Sequence, residues 1–171
     1  MEPRYPVATD GYGWHAAVMT LEVRALTADD WPVWRDLRLR ALADSPSAFG
    51  STLAREQGSA EADWRELLTG LSFAAYVDGV PAAIGAGFAH DDRHVMVVAM
   101  WTDPDFRGRG AGGEILEAVV AAARERGLLP HLFVMQANPE AARLYERHGF
   151  VRTGLVEEHG GRLAEELQAD P

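Results

Sequence analysis

Apolar and polar positions alternate from Leu21 to Leu26 (LEVRAL), the period of a strand with one buried face. The period then changes. Thr27 and Asp30 make a capping-box-like start, and Trp31, Trp34, Leu37 and Leu42 supply the apolar face of a helix reaching about Ala43. DSPSAFGSTLAREQG reads as a loop, followed by a short helix from Ser59 to Thr69 that stops at Gly70. FAAYVDGVPAAIGAGFA predicts a hairpin about Asp78 and Gly79, a favoured two-residue turn. A second reversal at His90 to Arg93 leads into a strand from Val95 to Trp101. The helical period returns over 111–126, burying Ile115, Leu116, Val119, Val120 and Ala123 and ending at Gly127. HLFVM (His131 to Met135) is strand-like. Asn138 as N-cap, Pro139 at the first helical position and Gly149 as a stop then frame another helix. Two closing strands, Phe150 to Glu157 and Leu163 to Gln168, turn about Gly160 and Gly161. Residues 1–18 show no period and read as an extension ahead of a single domain over 19–171.

Between the strand at Val95 to Trp101 and the helix from Glu114 lies RGRGAGG, Arg107 to Gly113. A glycine loop that opens a helix is the architecture of a phosphate cradle. The first amides of a helix have no intrahelical partner and carry the positive end of its dipole, and glycines let an anion approach them. Three cradles compete. A nucleoside-triphosphate loop needs a Lys beside its last Gly, and all sixteen Lys+Arg residues of this chain are Arg. A dinucleotide fingerprint is present as Gly108, Gly110 and Gly113, but five residues, Asp103 to Arg107, separate strand from first glycine where that turn is tight. It also lacks a ribose-binding carboxylate near Phe133.

The third reading takes Arg107, Gly110 and Gly112, with NPEAARLYERHGF (Asn138 to Phe150) about thirty residues on. These two motifs, in this order, resemble the pyrophosphate loop and the following helix of the GCN5-related N-acetyltransferase (GNAT) family, over residues 20–168. The resemblance implies a mixed α/β single domain: a central, mostly antiparallel twisted sheet flanked by helices, its strands splayed at the cofactor cleft. It implies acetyl-CoA as cosubstrate and no metal. Backbone groups of Met100, Trp101 and Thr102 would pair with the cofactor arm, because strand groups left unpaired are costly unless a ligand satisfies them. Arg107 would lie near the pyrophosphate, and Gly108, Gly110, Ala111, Gly112 and Gly113 would contribute amides. Arg109 is either a phosphate contact or a solvated side chain. Asn138 would contact the pantetheine arm and Tyr145 would face the thioester sulfur.

The implied chemistry is direct attack of a neutral amine on the acetyl carbonyl, with Tyr145 as the acid for the leaving thiolate. The alternative is a noncatalytic acyl-CoA sensor on the same shell, against which the retained Tyr145 speaks. Positions that hold a base in some members are apolar here: Val95, Met96, Val97 and Phe133. Glu56, His94 and water remain as bases. Phe49 and Ser51 belong with Glu56 to a loop that lines the acceptor cleft in this family, and Trp101 could wall it. An aromatic with a carboxylate suits an ammonium group.

At 171 residues the chain can bury about 70% of its unfolded surface in one core. The absence of Cys excludes disulfides, thiolate metal sites and a Cys nucleophile, and is compatible with the cytoplasm. No apolar run reaches eighteen residues, and the start lacks the order of a signal peptide, so no membrane partner is expected. A formal net charge of −10 argues against nucleic acid and for an amine-bearing small molecule or peptide. Monomer and homodimer stay open.

Overall fold

The computed structural model describes residues 19–170, so the extension expected over 1–18 lies outside the described residues. Seven strands form one sheet: β1 (Leu21–Ala25), β2 (Leu71–Val77), β3 (Val80–Ala89), β4 (His94–Thr102), β5 (Leu129–Met135), β6 (Phe150–His159) and β7 (Arg162–Ala169). Their order is β1-β2-β3-β4-β5-β7-β6. Every neighbouring pair is antiparallel except β4 with β5. The helices are α1 (Trp31–Asp44), α2 (Leu53–Glu56), α3 (Glu61–Leu67), α4 (Ala111–Glu125) and α5 (Pro139–Arg147). This is the mixed α/β class that the family resemblance implies, a mostly antiparallel sheet flanked by helices.

Local chemistry explains most boundaries. Asp78 and Gly79 both have positive φ, 49° and 78°, the requirement of a two-residue turn whose twist matches its strands. Asp30 accepts from the Thr27 amide and hydroxyl, each at 2.8 Å, and starts a short 3₁₀ turn that runs into α1. The expected loop after α1 is more ordered than its composition suggests. Pro46 opens a 3₁₀ turn (Pro46–Ala48), and the Thr52 hydroxyl accepts from the Arg55 amide at 3.3 Å to cap the single turn of α2. The following helix is shorter than its apolar pattern, because Asp63 accepts from the Ala60 amide at 2.8 Å and fixes the helix start there.

Both sheet faces are covered near β2, β3 and β4. On one, Ile115, Leu116 and Val119 of α4 pack against Ala75, Ala83, Val97, Leu132 and Val134. On the other, Trp34 and Leu37 of α1 and Trp64 of α3 cover Ala74, Ile84 and Trp101.

The sheet divides at its one parallel joint. Only His94, Val95 and Met96 stand opposite residues of β5, namely Leu129, Pro130 and His131, and beyond Met96 the two strands part. A bulge contributes to the parting. The β3–β4 register slips by one residue between Ile84 and Ala86, and Ala99 takes φ 57° there. An extra residue bends a strand and increases its twist, so β4 swings off the line of β5. The result is a fork whose inner edge on β4 has backbone groups without a strand partner among the described residues.

Candidate active site

The fork lies beside the start of α4. Gly110, at φ 86°, is the N-cap, and the first intrahelical bond runs from the Glu114 amide to the Gly110 carbonyl at 3.1 Å. The amides of Ala111, Gly112 and Gly113 therefore have no acceptor among the described residues. Gly112 sits against the end of β4: a Cβ there would come within 3.2 Å of Thr102 Oγ1. Gly113 lies closer to its neighbour: a Cβ would meet His148 Nε2 at 2.8 Å and push that side chain aside. Unpaired amides, a dipole end and glycines beside an open strand edge fit a diphosphate with an extended arm.

A cavity of about 620 Å³ runs along the open side of β4, touching Met96, Val97, Val98, Ala99 and Met100. Tyr145 of α5 lines it. Its ring is buried, and its hydroxyl has no hydrogen-bond partner among the described residues. Burial pushes that hydroxyl up to about 12. On the far wall, Glu56 accepts two bonds from Arg38, at 2.8 and 2.7 Å, and the Arg38 guanidinium lies 4.8 Å from the centre of the Phe49 ring. Burial raises the Glu56 pKa, but the bonds from Arg38 and Ser51 outweigh it and hold the carboxyl below its ordinary value. Glu56 is thus an ionised group already paired. Phe88, Phe133, Met135 and Trp34 add large apolar side chains to the lining, and Ser51, Thr69 and Ser72 add hydroxyls; the His159 ring is tilted against Phe133 at 5.0 Å between ring centres.

Residues 25–150 match the acetyltransferase (GNAT) family. The chain belongs to that family. It is 32% identical to a mycothiol acetyltransferase of Thermobispora bispora over 138 residues, 72% of this chain and 43% of that protein. The chain therefore spans less than half of that curated relative. The fold is shared with the ribosomal-protein-S18-alanine N-acetyltransferase of Escherichia coli, at 20% identity and TM-score 0.65, covering 88% of this chain and 93% of that one. It is also shared with a putative acetyltransferase of Salmonella typhimurium solved with its cofactor acetyl-CoA, at 18% identity and TM-score 0.67, covering 89% and 95%.

Within this GNAT fold the residues singled out from sequence fall into separate groups. Phe49, Ser51, Glu56, Met100 and Tyr145 line one cavity. Asn138 does not join them. It caps α5, accepting from the Ala141 amide at 3.2 Å, and lines a second cavity with Asp44 and Arg162. Trp101 is buried and lines neither cavity; its indole N–H donates to Asp44 at 3.0 Å. Arg107 also bonds Asp44, and its Nε donates to the Thr102 carbonyl at 3.0 Å, so its side chain braces the end of β4. Gly108 and Arg109 are exposed in the loop, with the Arg109 guanidinium 5.4 Å from the Phe106 ring. Ala111 turns its methyl into the core. His94 stands at the opposite end of β4, bonded to Asp91 at 2.9 Å.

Several residues of the site were not singled out. Arg38 sits on the polar side of α1, where its pattern resembles any solvated arginine. Met135 of β5 and His159 of β6 also line the cavity. Asp44 gave no signal at all. Among the described residues no helix is long and apolar enough to cross a membrane, and no His, Cys, Asp and Glu group is placed to hold a metal ion.

Proposed function

We propose that this chain transfers the acetyl group of acetyl-CoA to a primary amine of a small molecule or peptide, by direct attack of the neutral amine. The observation that carries the reading is the unpartnered Tyr145 hydroxyl, inside a cavity that runs along the open edge of β4. The amides of Ala111, Gly112 and Gly113 would hold the pyrophosphate, and the β4 edge at Met100 to Thr102 would pair with the arm. Acetyl-CoA supplies the activated acyl group. Tyr145 keeps its proton, because a phenol at about 12 is a weaker acid than a thiol at about 8.5. Its task is to donate a hydrogen bond to the leaving sulfur.

The acceptor side favours an amine with an apolar flank. Phe49, Phe88, Phe133 and Met135 make an apolar wall, Ser51, Thr69 and Ser72 add hydroxyls elsewhere in the lining, and the carboxylate of Glu56 is occupied by Arg38. An apolar wall disfavours the ammonium form, so an amine entering it releases its proton more readily. Glu56, paired with Arg38, then orders the wall.

The test is calorimetry with acetyl-CoA, followed by thiol release over a panel of amines and peptide N-termini. Amine-dependent release supports the reading. Tight acetyl-CoA binding without turnover on any amine would make the chain an acyl-CoA sensor.

A further inference from the structure

The fork is held by very little backbone. His131 is the last β5 residue opposite β4, and the residue is 5% exposed with both ring nitrogens engaged. Nδ1 lies 2.8 Å from Glu166 of β7, and Nε2 lies 2.9 Å from Nδ1 of His90, in the turn that joins β3 to β4. The two imidazole planes are 11° from parallel with centres 4.9 Å apart, and the 2.9 Å between the facing nitrogens is closer than stacked rings approach, so the contact is an N–H···N bond. Thr153 of β6 donates to the other Glu166 oxygen at 2.7 Å. A side-chain chain thus crosses the joint between the two halves of the sheet, at the apex of the fork.

We propose that His90, His131 and Glu166 form a proton-sensitive clasp that sets the fork opening and so positions the acetyl-CoA arm; this rests on the fork being the acetyl-CoA site.

The bonds fix the proton positions. Burial raises the Glu166 pKa, but the Thr153 and His131 bonds outweigh it, so Glu166 is an ionised acceptor and His131 carries its proton on Nδ1. With both rings neutral, His131 Nε2 accepts from His90 Nδ1–H. One added proton keeps the bond, with the imidazolium shared between the rings and facing Glu166. A second places N–H against N–H and breaks it. The other titratable groups facing the pair are His94, whose ring centre is 5.8 Å from that of His131, and Asp91, which is bonded to His94. Neither offers His90 an acceptor in place of His131. The clasp is therefore closed while one of the two facing nitrogens lacks a proton, and a proton on both opens it.

His131→Gln tests this, because a carboxamide can accept from His90 and donate to Glu166 without titrating; His131→Phe keeps the bulk and removes both bonds. Acetyl-CoA affinity is measured for the parent and both variants between about pH 5 and 8. At neutral pH the Gln variant should match the parent and the Phe variant bind roughly tenfold more weakly. Toward pH 5 the parent should lose affinity relative to the Gln variant, a ratio from which titration of the cosubstrate itself cancels. Imidazole nitrogen shifts should place the His131 proton on Nδ1. Parent and both variants following one curve, or an Nε2–H tautomer, would overturn the clasp alone. A parent that binds no acetyl-CoA at any pH would overturn the reading of the site and the clasp with it.

Discussion

The indole N–H of Trp101 donates to Asp44 at 3.0 Å and ties the far end of β4 to the last turn of α1. Asp44 also accepts from Ser45 at 2.7 Å and pairs with Arg107. Three groups next to the fork therefore depend on one carboxylate. Asp44→Ala leaves the buried indole without an acceptor, which costs about 1–3 kcal/mol. The expected result is a lower melting temperature with weaker acetyl-CoA binding, read by calorimetry of both. Unchanged values would show that the β4 end holds itself.

Gly110 and Gly112 are expected to fail differently when substituted. Gly110→Ala forces an L-residue into the left-handed region at a cost of about 1–2 kcal/mol. Gly127, at φ 70° beyond the other end of α4, supplies the control. Gly127→Ala should destabilise comparably and leave acetyl-CoA affinity alone, whereas Gly110→Ala and Gly112→Val should lower it. Equal affinity in all three variants would remove the loop from the cofactor site.

Much of the fold is legible in local pattern, because its signals are local: the Asp78–Gly79 turn and the Asn138, Pro139 and Gly149 frame of α5 each act within a few residues. The glycine loop is legible for the same reason. The fork is not. It depends on where two distant strands stop facing each other, and Ala99 takes its positive φ inside an apolar run whose own residues include no glycine; the glycine at the slip, Gly85, lies on the partner strand. His131 reads only as the first residue of a strand, since its link to Glu166 follows from the β5–β7 register. Asn138 is marked by its capping chemistry, and that capping is what its side chain does in the structure.

Acid should weaken the fold in a defined window. The Asp91 carboxyl is held at about 2 by the Arg93 amide first and then by His94, below its ordinary 3.8. A depressed carboxylate contributes stability that is complete above its unfolded value and lost as pH falls through the folded one. Asp44, Glu56 and Glu166 shift the same way. The melting temperature of the parent should therefore fall between about pH 4 and 2, and its gap to Asp91→Asn should narrow over that range. A constant gap would contradict the assignment.

Glu56→Gln separates a wall from a base. With Arg38 holding the carboxylate, the variant should raise the KM for the amine more than it lowers kcat, and the alkaline rise of the rate profile should persist. Loss of that rise, with kcat down by about 10² or more, would make Glu56 the general base.

The most direct test of the whole account compares parent and Tyr145→Phe for amine-dependent thiol release at saturating acetyl-CoA. The parent should release one thiol for each amine acetylated. The variant, lacking only the hydroxyl, should bind acetyl-CoA as the parent does and turn over roughly 10²- to 10³-fold more slowly, the loss of one hydrogen-bond donor to the leaving sulfur. Equal rates, in conditions where chemistry limits turnover, would contradict the account.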